Sequence, residues 1–163
     1  MGERLDRWEG ARASLHLASD SPERTIEIGR RIGSLVPPGS ILSLEGGLGA
    51  GKTLLAKGIC AGLGVAETVL SPSFILVEEY RGELPVFHVD LYRLERVDEA
   101  AGIGLFDAAD GRAIVIVEWG DRLPPGALDV DCRISMTITG EWSRALAIEA
   151  PEILVDRLGE GSA

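Results

Sequence analysis

Gly46-Gly47-Leu48-Gly49-Ala50-Gly51-Lys52-Thr53 fits the pattern G-x-x-x-x-G-K-[ST], a loop built to hold phosphate. Its flanks agree. Ile41-Leu42-Ser43-Leu44-Glu45 reads as a buried strand, and Leu54-Leu55-Ala56-Lys57-Gly58-Ile59-Cys60 as the first turns of a helix. Glycines let the backbone curl round a phosphate chain with its N–H groups turned inward, and the helix N-terminus adds positive potential. The lysine reaches the β- and γ-phosphates, and the threonine hydroxyl ligates Mg²⁺. The competing reading is a glycine-rich turn that merely precedes Lys-Thr. Against it, Lys52 and Lys57 are the only lysines among 16 basic residues. Gly47, Leu48, Gly49, Ala50, Gly51, Lys52 and Thr53 are therefore the expected phosphate-binding residues, with Thr53 also on the metal.

Around that loop, 163 residues make about one domain, with 45% hydrophobic and 26% charged residues as in ordinary globular chains. A net charge of −10 argues against a broad phosphate-binding face, because nucleic-acid affinity rests on Lys/Arg neutralisation. Cys60 and Cys132 form no CxxC pair and are expected to be buried thiols in a reducing compartment. No stretch approaches a membrane span and the first residues lack a signal-peptide core, so a cytoplasmic protein is expected.

Residues 1–13 are polar apart from Trp8 and are expected to form a loose leader to a single domain over 1–163. Ser14–Ala18 alternates like an edge strand. Ser21-Pro22-Glu23 looks like a helix start, followed by an apolar stripe at Ile28, Ile32, Leu35 and Val36. Phe74–Tyr80 and Leu84–Tyr92 read as a hairpin, and Glu95 to Phe106 as a helix interrupted by Gly102 and Gly104. Ala113–Trp119 is a continuous apolar run ending in an acid, the pattern of a strand covered on both faces. Leu128 to Thr139 alternates strictly, Trp142–Glu149 alternates again, and 151–158 closes as a short helix. The fold expected is α/β: a three-layer P-loop nucleotide-binding domain, its mixed sheet parallel at the centre with antiparallel hairpins beside it, flanked by helices.

A phosphate loop needs an acid to complete the metal shell. Glu118 ends the most apolar strand and is expected on the metal; Asp90 ends Val86–Val89 and is expected in the active site, on the metal's outer shell or positioning water. Glu45 reads as structural. His88 points to the same sheet face as Asp90, with structural and catalytic roles both open. Trp119 is placed near the nucleotide, at an interface or in the core.

Leu48–Thr53, Ser71-Pro72-Ser73-Phe74, His88-Val89-Asp90-Leu91-Tyr92-Arg93 and Val117-Glu118-Trp119, in this order, resemble the bacterial TsaE (YjeE) family from about Thr25 to Trp119. The resemblance implies a small ATPase acting with TsaB-like and TsaD-like proteins, touching tRNA only through them. That machinery places threonylcarbamoyl on the adenosine next to the anticodon. It implies ATP and Mg²⁺ on Lys52 and Thr53, metal ligation by Glu118, a requirement for Asp90 in hydrolysis, and a hydroxyl near the γ-phosphate at Ser73. Lys52, Asp90 and Glu118 thus form the expected catalytic set. The family usually has an acid where this chain has Gly47, and a proline after Glu-Trp where it has Gly120. The rival readings are a small-molecule kinase of the same loop class and a non-catalytic nucleotide switch that binds a partner.

Overall fold

The computed structural model describes residues 10–70, 77–96, 98–99 and 112–161. Seven strands form one sheet in the order β1-β7-β6-β2-β5-β4-β3. They are β1 (Arg12–Ser19), β2 (Ile41–Gly46), β3 (Val77–Arg81), β4 (Pro85–Asp90), β5 (Ile114–Glu118), β6 (Cys132–Ile138) and β7 (Arg144–Pro151). β2 pairs in parallel with β5 and β6, and β5 in parallel with β4, while β3–β4, β6–β7 and β1–β7 are antiparallel. This is the expected α/β sheet, parallel round the phosphate loop and closed by hairpins. No helix of the described residues is long and apolar enough to cross a membrane.

Three helices share one core on one face of the sheet: α1 (Pro22–Leu35), α2 (Lys52–Gly62) and α3 (Glu152–Glu160). Ser21 is the N-cap of α1, its hydroxyl accepting from Arg24 N at 3.1 Å with Pro22 in the first turn. Ile28 and Ile32 then face Leu55, Ile59, Leu44 and Ile116 in that core. Alternation along β5 explains its unbroken apolar run: Ile114 and Ile116 join the helical side, Val115 and Val117 the opposite cluster with Leu91, Leu94 and Leu123.

The expected elements shift in two places. β1 begins at Arg12, inside the segment read as leader, because its pairing with β7 runs on to Pro151; residues 1–9 lie outside the described residues. β6 begins at Cys132 rather than Leu128, since the Asp131 carboxylate accepts from Ile41 N at 2.8 Å and Leu128 and Val130 fold onto the second core as loop. Ser73 and the Ser71–Phe74 motif fall outside the described residues, as does most of the helix expected over 95–106. Cys60 and Cys132 are buried, and burial pushes both thiols up to about 12, so neither is a nucleophile near neutral pH.

α1 and α2 touch backbone to backbone. A Cβ on Gly33 would run into the Ile59 carbonyl, and one on Gly62 into the Arg30 carbonyl. Since α2 carries the loop at its N-terminus, this contact sets where the loop sits. Gly33→Ala should therefore destabilise by about 2–3 kcal/mol despite its better helix propensity, because backbone atoms, not a movable side chain, occupy the space. Gly159 in α3 has nothing within 4 Å of an added Cβ. Gly159→Ala should instead stabilise by roughly 0.5 kcal/mol. Thermal melts of the two variants, expected to move in opposite directions, check the packing.

Candidate active site

The loop leaves β2 with Gly46 at φ 145°, and Gly51 at φ 102° turns the chain into α2. A side chain at 46 would also press on the Met136 carbonyl at 2.6 Å. The loop closes on itself through Ala50 N donating to Gly47 O at 3.1 Å. No side chain caps the α2 N-terminus. Its first-turn N–H groups are thus left to whatever anion enters, and the helix dipole favours one. Gly47 faces open space, with nothing within 4 Å of an added Cβ. Packing does not require a glycine there.

Lys52 lies in this cleft and is only 5% exposed. Its Nζ donates to Gly46 O and Gly47 O, both at 2.8 Å, and sits 3.9 Å from the centre of the Trp119 ring. Burial lowers its pKa, opposed by the negative charges of Glu118, Asp121 and Asp90. One ammonium thus stands among three carboxylates. Any anionic ligand entering the cleft depends on it.

Thr53 Oγ1 donates to Glu118 Oε1 at 3.0 Å. With its proton committed there, the hydroxyl oxygen keeps its lone pairs for a cation. The other oxygen of Glu118, Oε2, is 2.6 Å from His88 Nε2, and both residues are buried. His88 Nδ1 has no hydrogen-bond partner among the described residues. That leaves the imidazole a single polar task, holding Glu118. The ring of His88 holds the Glu118 carboxylate in place from the β4 side. The register sets up the contact, because Asp90 pairs with Glu118 and His88 with Ile116 across β4–β5, placing all four on one face.

Asp90 lines the same cleft, with Oδ1 accepting from Tyr92 N at 2.9 Å. The cleft holds about 410 Å³ and brings together Gly49, Gly51, Lys52, Thr53, Asp90 and Glu118. Its mouth is aromatic and basic: Tyr92 and Trp119 rings lie 5.0 Å apart, with the Arg122 guanidinium 5.3 Å and 5.7 Å from them. Arg93 also lines the cleft, whereas Arg96 pairs with Asp98 on the surface. Among the described residues no group of three His, Cys, Asp or Glu could hold a metal unaided. The donor set fits a hard divalent cation taken up with phosphate and water, which needs only one or two protein oxygens.

Sequence reasoning missed how Trp119 reaches Lys52. It is the one described non-glycine residue with positive φ, at 61°. The following turn, Gly120–Arg122, is locked by contact: a Cβ on Gly120 would collide with Ser43 Oγ. A proline at 120 has no room beside Ser43. Glu45 is paired, its Oε1 accepting from Arg133 Nε at 2.8 Å. His16 is exposed on the edge strand.

Comparison with known proteins agrees with this architecture. Residues 19–146 match the family described as "Threonylcarbamoyl adenosine biosynthesis protein TsaE". The chain is 32% identical over 134 residues to the tRNA threonylcarbamoyladenosine biosynthesis protein TsaE of Treponema pallidum, covering 82% of this chain and 99% of that one. It is 40% identical over 115 residues to the protein of the same name from Bacillus subtilis, covering 68% and 72%. The crystal structure of YdiB from Bacillus subtilis superposes with a TM-score of 0.73 at 29% identity, over 95% of this chain and all of that one. A match that takes in the phosphate loop, both strand-end acids and the sheet they stand on leaves one assignment: the chain belongs to the TsaE family.

Proposed function

We propose that this chain is the ATP-binding and ATP-hydrolysing subunit of the machinery that makes threonylcarbamoyladenosine in tRNA, working on TsaB-like and TsaD-like partners. The reading rests most on the 3.0 Å bond from Thr53 to Glu118, which joins the end of the phosphate loop to the end of β5. Such a pair, beside a buried lysine, is what a nucleotide with Mg²⁺ requires. A divalent cation held there would supply charge neutralisation to the phosphates. Thr53 and Glu118 supply the oxygens that hold it, and His88 keeps Glu118 aimed. Loop N–H groups cradle the phosphates and Lys52 leaves the Gly46 and Gly47 carbonyls to meet them. Asp90, fixed by its bond from Tyr92 N, orients the attacking water and accepts its proton late. Trp119 and Tyr92 wall the mouth.

The charge of −10 suits this division of labour, since a subunit that powers the reaction through partners needs no basic face for tRNA. The test is deletion of the gene followed by nucleoside analysis of bulk tRNA. Loss of threonylcarbamoyladenosine is expected, with restoration by the wild-type chain. An unchanged level overturns the assignment. Turnover of ATP with and without the partner pair then separates an ATPase from a binding switch, which hydrolyses in neither case.

A further inference from the structure

Arg144 stands at the start of β7, far from the loop in sequence and assigned to no function above. Its guanidinium nevertheless binds the phosphate loop: Nε donates to Ala50 O at 3.0 Å and Nη2 to Gly49 O at 3.2 Å. Its third nitrogen, Nη1, donates to Ser143 O at 2.8 Å and Gly140 O at 3.1 Å in the β6–β7 turn. One rigid planar group thus ties the hairpin to the loop.

We infer that Arg144 is a positioning residue that holds the Gly49–Ala50 and Ala50–Gly51 peptides in the phosphate-binding orientation. Ala50 has a glycine on either side, at φ 79° and 102°, and glycine permits peptide planes to rotate at little cost. The peptides are trans, so a carbonyl and the following N–H point opposite ways. Fixing the Ala50 carbonyl outward on Arg144 aims Gly51 N–H toward the cleft. Fixing the Gly49 carbonyl holds Ala50 N–H in its bond to Gly47 O. A cation on the Ala50 carbonyl also polarises that amide and strengthens Gly51 N–H as a donor to phosphate. Arg144 acts through the loop and touches no ligand itself.

The inference rests in part on the nucleotide reading, so the test has an arm that does not. In the full chain without ligand, Arg144→Ala should speed hydrogen exchange of the Ala50 amide, which is bonded to Gly47 O, at least about tenfold, leaving β2 and β5 amides unchanged. ATP and ADP dissociation constants should both rise about 10- to 10²-fold, with turnover at saturating ATP within about twofold of wild type. Arg144→Lys, which keeps the charge but not the fork, should lie between. Should Arg144→Ala fold poorly, the lysine variant carries both measurements. Loop exchange and affinity both unchanged in a folded variant would overturn the inference. A wild-type chain that fails to bind ATP would overturn the nucleotide reading instead, with the exchange arm still deciding the role of Arg144.

Discussion

Lys52→Ala should abolish tight ATP binding, raising the dissociation constant by at least about 10²-fold. The size follows from what remains. Lys52 is the buried cation of a cleft whose other charged neighbours on it are Glu118, Asp121 and Asp90. Without it, a polyanionic ligand meets those carboxylates with compensation, among the described residues, from Arg93 and Arg122 near the mouth. Removing one member of a buried charge constellation typically costs about 3–5 kcal/mol, and each 1.4 kcal/mol is tenfold in affinity. Lys52→Arg should recover little, because a planar fork does not fit the place where one point charge meets two carbonyls at 2.8 Å beneath the Trp119 ring. Equilibrium titration with ATP checks this, run beside a thermal melt to show the variant folded. A dissociation constant within threefold of wild type would remove Lys52 from the site.

Most of the framework that places Lys52 was legible in the residues, for local reasons. Glycine spacing, an apolar strand before and a helix after are written consecutively, as are the Ser21-Pro22 helix start and the doubly buried run of β5. Glu118 and Asp90 were legible as acids ending apolar strands. What escaped was everything decided by contacts between distant segments. Alternation over Leu128–Thr139 could not show that Asp131 would turn its carboxylate to the Ile41 amide and shorten β6. His88 was ambiguous until the β4–β5 register put it against Glu118. The left-handed backbone of Trp119, at φ 61°, has no signal in its neighbouring residues. Arg144 carries no motif at all. Its role exists only because the β6–β7 turn lies beside the loop.

The second large effect separates chemistry from binding. Glu118→Gln should lower ATP turnover by about 10²–10³-fold while changing ATP affinity by less than about tenfold. The substitution keeps shape but fails twice. It removes the negative charge beside Thr53 that a divalent cation would meet. It also puts an amide N–H₂ where a carboxylate oxygen accepted from either Thr53 Oγ1 at 3.0 Å or His88 Nε2 at 2.6 Å, so one of these two contacts must reverse direction. Asp90→Asn is gentler in structure, because its amide oxygen can still accept from Tyr92 N. It should nonetheless cost turnover about 10²-fold, since an amide cannot take the proton of an attacking water. Both variants are assayed with the partner proteins present, so that a dependence of turnover on them does not hide a loss. If Asp90→Asn hydrolyses at the wild-type rate there, the water-orienting role is wrong. If Glu118→Gln instead loses affinity as far as Lys52→Ala while turnover at saturation holds, the acid serves ground-state binding alone and the metal-side role fails. The contrast between the lysine and the acids matters more than either magnitude, because a general loosening of the cleft would move both measurements together in all three variants.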